Sequence, residues 1–218
     1  MKMIRKLKLF YILTLFALNY IFFFKFQSKY LPILLENDSD DFFLNPGFSI
    51  CGTSQNKFTF IAFVVITPDR FQKRQMIRKT YGRKDPEFRI VFTTGMSTNQ
   101  TVNKLVVEEF LTYKDIIQIS NFKDSYKNLT IKIMKSFKWI SKFCTNSKYI
   151  LRLNDDVVVN TIALVDHFKN HNYSYNSMFG FAYYNARPFR NKKSKFYVSE
   201  LEYNKSTNCP FEGNRVLG

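Results

Sequence analysis

The sequence has few acidic residues, and it contains neither internal repeats nor a low-complexity tract. Of its 218 residues, 17 are Asp or Glu and 33 are Lys or Arg, so the formal net charge is +16. A strongly basic chain raises the question of nucleic acid binding. The cations are dispersed, however, along a chain that is rich in Lys, Asn, Phe, Ile and Tyr together, as compositionally biased genomes produce. We therefore expect no nucleic-acid partner, and we expect the basic surface to attract smaller anionic ligands.

Cysteine is scarce and its count is odd. The three cysteines are Cys51, Cys144 and Cys209. In an oxidising compartment one pair could form a disulfide bond, which would leave the third thiol free or paired with another molecule. The sequence does not choose the pair.

Charge is absent from residues 9–24, which are almost wholly apolar. Residues 19–25 also lack the small residues of a cleavage site, which favours an uncleaved membrane anchor over a signal peptide. More cations precede the segment than follow it, so we expect the N-terminus to be cytosolic and the rest to face the secretory lumen. The predicted organisation is a cytosolic tail (1–8), a transmembrane signal anchor (9–26), a luminal stem (27–57) and one domain (58–218).

Five Asn-x-Ser/Thr sequons agree with a luminal location. They begin at Asn37, Asn99, Asn128, Asn172 and Asn204. Asn99 and Asn204 lie in polar stretches, and we predict that both are accessible and glycosylated. Asn128 belongs to a turn in which we expect it to be too buried for modification.

Apolar runs and amphipathic segments alternate along the domain. The continuous apolar run 58–67 is typical of a strand that is buried on both faces. The full pattern predicts strands at 58–67, 88–94, 115–119, 150–153 and 178–184, and helices at 70–81, 101–113, 129–143 and 161–170. Such alternation predicts an α/β domain with a mostly parallel, Rossmann-like sheet flanked by helices.

The clearest predicted helix is 129–143, because an apolar stripe recurs along it at helical spacing. The stripe consists of Leu129, Ile133, Phe137 and Ile140. Four lysines occupy the opposite side of the helix, and we predict that they form a solvated face: Lys132, Lys135, Lys138 and Lys142. The preceding turn, 124–128, is predicted to be structural and to cap the helix.

Two adjacent carboxylates, Asp155 and Asp156, follow the predicted strand 150–153. Open α/β sheets bind ligands beyond the carboxyl ends of their strands, and two carboxylates suit a hard divalent cation that can carry a diphosphate. A solvated Asp-Asp turn is the alternative. His167 and His171 also have metal-compatible spacing, but no glutamate follows the first of them, and we interpret both as surface residues.

Several segments resemble the motifs of one enzyme family, in order and spacing. Residues 70–82 resemble Arg-x-x-Ile-Arg-x-Thr-Trp-Gly, with Tyr81 in place of Trp, and 115–132 resemble a block that ends in Asp-x-Tyr-x-Asn-Leu-Thr-x-Lys. Residues 152–160 resemble Lys-x-Asp-Asp-Asp-Val-Phe-Val-Asn. Shorter matches lie at 139–144, 187–190 and 195–199. Over roughly 58–213 the chain is similar to the animal β-1,3-galactosyltransferases and their N-acetylglucosaminyltransferase relatives.

The resemblance implies a GT-A glycosyltransferase fold, a UDP-sugar donor, Mn²⁺ and a single-pass type II membrane protein of the Golgi. Asp156 takes the position that binds the metal in the family, and Asp155 takes the position that contacts the nucleotide sugar. Arg74 and Arg78 lie one helical turn apart, and they are candidates for binding the donor. A solvated helix face is the equal alternative for these two arginines.

Two features depart from the family pattern. Asn154 stands where the first Asp of the triplet is expected, which removes one negative charge near the metal. The acidic block that holds the family's catalytic base has no match, so we name no catalytic residue and expect the base beyond Gly218. The next candidates are Glu200, Glu202 and Glu212.

The sequence therefore predicts a hexosyltransferase of protein glycosylation. It would move galactose or an N-acetylhexosamine from a UDP-sugar to a glycan, glycoprotein or glycolipid acceptor in β-1,3 linkage, with inversion. The alternative is a non-catalytic luminal protein that binds sugar nucleotides or partners on the same fold.

Overall fold

A computed structural model describes residues 41–52, 55–83, 85–174, 177–180, 187–194 and 196–204. The chain divides into two compact units, residues 1–169 and 170–218. The strands are β1 (Phe42–Leu44), β2 (Phe58–Val65), β3 (Phe88–Met96), β4 (Ile116–Lys123) and β5 (Ser147–Asn154). The helices are α1 (Phe71–Lys79), α2 (Gln100–Tyr113), α3 (Leu129–Phe143) and α4 (Thr161–Asn170).

The five strands form one sheet in the order β1-β4-β3-β2-β5. Strand β1 pairs antiparallel with β4, and every other neighbouring pair is parallel. The predicted mostly parallel α/β sheet is therefore confirmed. From β2 the chain moves outward to β3 and β4, and it then crosses back to β5 on the other side of β2. This reversal makes the carboxyl ends of β2 and β5 the switch point of the sheet, the position at which sheets of this kind have their ligand-binding crevice.

The central strand β2 is buried along its whole length, as its continuous apolar sequence predicts. One face packs against α3, where the rings of Phe63 and Phe137 make a T-shaped contact at 5.2 Å. The other face carries Phe60, whose ring lies 5.1 Å from that of Phe168 in α4. Helices on both faces thus hold the sheet and fix the position of its edges.

Residues 41–52, which we assigned to the stem, pack into the sheet domain. Strand β1 lies at the edge of the sheet, and Leu44 within it is buried. The indole N–H of Trp139 in α3 donates to the side-chain oxygen of Asn45 over 2.7 Å. The folded domain therefore begins before residue 58.

The disulfide bond joins Cys51 to Cys144, and both residues are buried in the main core cluster. It links the segment that precedes β2 to the end of α3. The third cysteine, Cys209, lies outside the described residues.

Three of the lysines that we predicted to be solvated form ion pairs. Lys132 is only 2% exposed and pairs with Asp124. Lys135 and Lys138 both pair with Asp41, just before β1. The prediction of a solvated face is wrong for these residues, because one partner is distant in the sequence and the other belongs to the turn before the helix.

The predicted strand 178–184 is not formed at 178–180, and its remainder lies outside the described residues. In this second unit, Arg190 donates to the carbonyl oxygen of Val198 over 2.8 Å and so ties two segments together. No helix within the described ranges has both the length and the apolar character needed to span a bilayer. The predicted anchor, 9–26, falls outside those ranges.

Candidate functional site

The carboxyl ends of β2 and β5 bring a loop and two carboxylates together. Val65 at the end of β2 is in register with Asn154 at the end of β5. Beyond this pair, β2 continues into the loop 66–70, and β5 continues directly into Asp155 and Asp156. The predicted site therefore lies at the crevice where the winding of the sheet reverses.

Asp155 forms an ion pair with Arg70, a residue that the sequence analysis did not single out. The Nη1–Oδ2 distance is 2.5 Å, and the side chains of Arg70 and Asp155 are 49% and 12% exposed. The hydrogen bond to Asp155 raises the pKa of Arg70, and so do the negative charges of Asp155, Asp69 and Asp156. A permanent cation therefore stands among three carboxylates, at the start of a helix that follows a buried strand.

Asp156, the predicted metal ligand, is exposed and has no hydrogen bond or ion pair within the described ranges. The side-chain oxygen of Asn154 accepts a hydrogen bond from Arg152 over 3.0 Å. His167 and His171 are exposed, as predicted, and the described residues form no group of three or more metal-ligating side chains. A free carboxylate fits a hard cation whose other ligands are phosphate oxygens and water, rather than a cage made wholly of protein.

A buried ion pair joins the ends of three strands at the same edge. The Lys132 ammonium donates to the carbonyl oxygen of Ile66, after β2, over 3.1 Å, and to Asp124, after β4, over 2.7 Å. Asp124 also accepts from the backbone N–H of Gly95 in β3 over 2.7 Å. Burial lowers the pKa of Lys132, although the charges of Asp124 and Asp155 oppose the shift. Asp124 is structural, but it holds Lys132 rather than capping α3 as predicted.

The structure contradicts the prediction that Arg74 binds the donor. The side chain of Arg74 is 1% exposed. Its guanidinium donates to both carboxylate oxygens of Glu109 in α2 and to the carbonyl oxygens of Thr67 and Pro68, over 2.6–3.0 Å. Because the side chain is buried, Arg74 is not accessible to a ligand. Its bonds to Thr67 and Pro68 anchor the loop that follows β2.

Arg78 is likewise used within the fold rather than offered to a donor. It donates to Glu109 over 2.6 Å and to both carboxylate oxygens of Asp115 over 2.7 and 2.8 Å. Its guanidinium also lies 4.0 Å from the centre of the Tyr113 ring. Burial opposes ionisation, but the bonds to Asp115 and Glu109 raise the pKa of Arg78 overall. Because its carboxylate partners lie 31 and 37 residues away, no local pattern in the sequence indicated this network.

The two predicted glycosylation sites, Asn99 and Asn204, are both exposed. Asn99 caps α2, and its side-chain oxygen accepts the N–H of Thr101 over 2.9 Å. That bond does not involve the amide nitrogen, which is the atom that carries an N-linked glycan. Asn128, by contrast, is half-buried, and its amide nitrogen donates to the carbonyl oxygen of Lys123 over 3.0 Å.

A cleft of about 570 Å³ opens at the carboxyl ends of β3 and β4. Aromatic and polar side chains line it together, among them Phe42, Phe43, Ser97, Asn121, Phe122 and Lys123. Its volume falls within the range of small-molecule sites. None of its lining residues belongs to β2, β5 or the loops that follow these strands.

Comparison with known proteins shows which sequences this chain is similar to. A sequence model of the family described as Galactosyltransferase matches residues 72–214. The human UDP-GalNAc:beta-1,3-N-acetylgalactosaminyltransferase 1 is 31% identical over 192 residues, which are 85% of this chain and 55% of that protein. The mouse protein of the same name is 33% identical over 156 residues, with 68% and 46% covered.

A third relative, the lactosylceramide 1,3-N-acetyl-beta-D-glucosaminyltransferase of Xenopus tropicalis, is 32% identical over 151 residues. The match covers 63% of this chain and 40% of that protein. The chain thus spans about half the length of the curated relatives it matches.

Proposed function

Because the chain belongs to the galactosyltransferase family, we propose that it transfers a hexose from a UDP-sugar to a glycan acceptor on protein or lipid. The hexose is galactose or an N-acetylhexosamine, and the new bond is a β-1,3 linkage formed with inversion. The relatives' names, which specify 1,3-transfer of N-acetylglucosamine or N-acetylgalactosamine, support this reaction. The parallel sheet with its winding reversal between β2 and β5 is the arrangement expected of a GT-A fold.

One observation carries the proposal, namely that the carboxylates after β5 meet the arginine after β2 at the ligand-binding crevice of the sheet. Asp155 and Arg70 form the ion pair, and Asp156 remains exposed beside it. The diphosphate of a nucleotide sugar needs cationic partners. The divalent ion that accompanies it needs free carboxylate oxygens. The crevice offers both in adjacent positions.

In this proposal Asp156 would hold a divalent ion, which the family resemblance identifies as Mn²⁺. When bound, such an ion neutralises the charge that develops on the departing diphosphate. The exposure of Asp156 leaves its carboxylate oxygens available for this role. Asn154 contributes no charge, and its amide oxygen already accepts from Arg152.

Transfer also requires a base that takes the proton of the acceptor hydroxyl as the hydroxyl attacks the anomeric carbon. Glu202 accepts hydrogen bonds from the N–H and the hydroxyl of Ser199, each over 2.8 Å. Glu200 is exposed, and Glu212 lies outside the described residues. We assign the base to none of them.

The test of the proposal is manganese-dependent UDP binding, measured by calorimetry on the purified chain. Asp156→Ala should weaken this binding about tenfold or more, since even groups that only support a metal ligand contribute that much. Asp166→Ala removes an exposed carboxylate from α4 and is the matched control. Equal effects of the two substitutions would mean that the Asp-Asp pair is a solvated turn.

A sugar-transfer assay on the same material separates the two candidate functions. Binding of UDP with transfer of sugar to a glycan acceptor supports the transferase. Binding without transfer agrees with the non-catalytic sugar-nucleotide-binding alternative. It also agrees with a transferase, because we assign no base in this chain, which spans about half the length of its relatives.

The proposed location is the Golgi membrane, with the apolar run 9–26 as a type II anchor and the domain in the lumen. Entry into the lumen would expose Asn99 and Asn204 to glycosylation. Protease treatment of intact microsomes should then spare the domain, and a glycosidase should shift its mobility on a gel. Complete digestion from the cytosolic side would contradict this location.

A further inference from the structure

Arg70 directly precedes helix α1, and Arg74 and Arg78 lie within it. The three arginines differ in how accessible their donors are to a ligand. Arg74 and Arg78 give their donors to carboxylates and carbonyl oxygens of the fold. Arg70 uses one side-chain nitrogen, Nη1, for Asp155, and half of its side chain is exposed. A guanidinium carries five N–H donors. Arg70 is therefore the most exposed of the three arginines, and its remaining donors are accessible to a ligand.

The backbone of Arg70 is fixed, although its side chain is exposed. Its N–H donates to the carbonyl oxygen of Thr67 over 3.2 Å. Arg74 anchors that same carbonyl and the next one, at Pro68, over 3.0 Å each. The hydroxyl of Thr67 in turn donates to Asp69 over 2.5 Å. The loop thus presents the Arg70 guanidinium from a rigid base, which limits the ordering that ligand binding would require.

The carboxylates around the Arg70 guanidinium indicate what this cation could do for an anionic ligand. An approaching diphosphate meets the carboxylates of Asp69, Asp155 and Asp156, which repel it. Lys132, the buried cation at the same edge, already serves Asp124 and a backbone carbonyl. Arg70 offsets the repulsion from a position where its planar fork can donate two parallel hydrogen bonds to phosphate oxygens.

We propose that Arg70 binds the diphosphate of the donor directly, and that Asp155 acts by orienting Arg70 rather than by contacting the sugar nucleotide. One N–H group stays on Asp155 while the remaining donors turn to the phosphate oxygens. The inference rests on the proposed function, since it names the residue that would recognise the nucleotide at that site.

The experiment titrates the full chain with UDP, uridine and inorganic pyrophosphate, in the presence of Mn²⁺. Arg70→Gln should weaken UDP and pyrophosphate binding about 10- to 100-fold, because charge-assisted phosphate contacts are lost, and should leave uridine binding unchanged. Arg70→Lys keeps the positive charge but loses the planar fork. Its affinity for UDP and pyrophosphate should lie between that of Arg70→Gln and that of the native chain. Lys73→Gln removes an exposed cation from the same helix, and it should change UDP binding less than threefold.

A double-mutant cycle tests the orienting role of Asp155. If Asp155 acts through Arg70, Asp155→Asn alters UDP affinity in the native background and has no further effect in the Arg70→Gln background. An equal effect in both backgrounds would show that Asp155 acts on the donor independently of Arg70.

Each remaining outcome also decides the matter. Unchanged UDP and pyrophosphate binding in Arg70→Gln overturns the inference, and so does an equal loss of uridine binding, which would indicate a disturbed fold. Pyrophosphate binding that depends on Arg70, without any UDP binding, supports the anion site and rejects the proposed donor. If the native chain binds neither ligand, both proposals are wrong.

Discussion

Two groups of arginine ion pairs lie within helix α1 or just before it, and they differ in the exposure of the arginines and in how fully these are paired. The buried arginine network consists of Arg74, Arg78, Glu109 and Asp115, and its arginine side chains are 1% and 11% exposed. The crevice pair consists of Arg70 and Asp155, with the arginine 49% exposed. The guanidinium groups of the network are paired with carboxylates of the fold, whereas Arg70 of the crevice pair has N–H groups that remain accessible to a ligand.

The difference teaches how to distinguish a structural arginine from a binding one. A buried charge must be fully paired, because an uncompensated charge in the interior costs several kcal/mol. An exposed charge remains solvated, so it can exchange water for a ligand at little cost to the fold. We therefore expect substitutions in the network to affect stability, and substitutions in the crevice pair to affect ligand binding.

The largest effect is expected in the network. Glu109→Gln removes the carboxylate that pairs with both Arg74 and Arg78, and it leaves the Arg74 charge buried and uncompensated. We expect the free energy of unfolding to fall by about 3–5 kcal/mol. Urea denaturation followed by circular dichroism measures it.

Glu108→Gln is the matched control, since Glu108 is the exposed neighbour on the same helix. It should change the free energy of unfolding by less than about 0.5 kcal/mol. If the two variants were equally stable, the network would not hold α1 to α2 in the way that we describe.

The parts of the fold that sequence predicts well are those that local patterns encode. The apolar run of β2 matches a strand that is buried throughout, and the predicted helix 129–143 coincides with α3. The family resemblance is confirmed, because its motifs combine local residues at fixed spacing. The placement of Asp155 beside the sheet crevice follows from the same local reading, since it required only that a strand end there.

The parts that sequence missed depend on partners brought together by tertiary folding. We predicted that Lys132 is solvated, because the carbonyl group that its ammonium binds lies 66 residues away and no local pattern indicates it. Strand β1 has three residues, too few to show a period, and its place in the sheet is fixed by pairing with β4. Arg70 precedes the named positions of the family's helix motif, which begin at Arg74, and its contact with Asp155 revealed it.

The buried pair Lys132–Asp124 lies between the two extremes, since it is as buried as the network but touches the crevice edge. Lys132→Met should lower the free energy of unfolding by about 2–4 kcal/mol, because it leaves the Asp124 carboxylate largely uncompensated. The loss should be smaller than for Glu109→Gln, since Asp124 keeps the N–H of Gly95. Urea denaturation gives the comparison.

The exposed Lys127, in the turn before α3, provides the control for this substitution. Lys127→Met should be neutral to within about 0.5 kcal/mol. The double variant Lys132→Met with Asp124→Asn should recover part of the loss, because no buried carboxylate remains. A double variant less stable than Lys132→Met alone would contradict this account.

Asp41 extends the comparison to a pair that is only partly buried. Burial raises its pKa, but hydrogen bonds from Lys135 and Lys138 outweigh that effect, and the pKa of Asp41 is lowered from 3.8. The stability that this shift contributes is therefore complete above pH 3.8, and it is lost as the pH falls through the lower folded-state value.

Asp41→Asn should consequently cost about 1 kcal/mol at pH 7, an amount reduced by solvent screening. The difference between the native chain and the variant should shrink as the pH falls below 3.8. Urea denaturation at a series of pH values tests this. A difference that stayed constant down to the lowest pH would mean that ionisation of Asp41 does not stabilise the fold.

The smallest effect on stability is expected for the crevice pair itself. Arg70→Gln removes an ion pair whose arginine is half exposed, and exposed pairs contribute about 0–1 kcal/mol. Arg74 continues to anchor the loop through the Thr67 and Pro68 carbonyls, so the free energy of unfolding should stay within about 0.5 kcal/mol of the native value. Urea denaturation of the protein used for the UDP titrations provides the measurement. A loss of unfolding free energy near that of Glu109→Gln would mean that Arg70 is a structural residue. Weaker UDP binding by Arg70→Gln would then result from a damaged fold rather than from a missing phosphate contact.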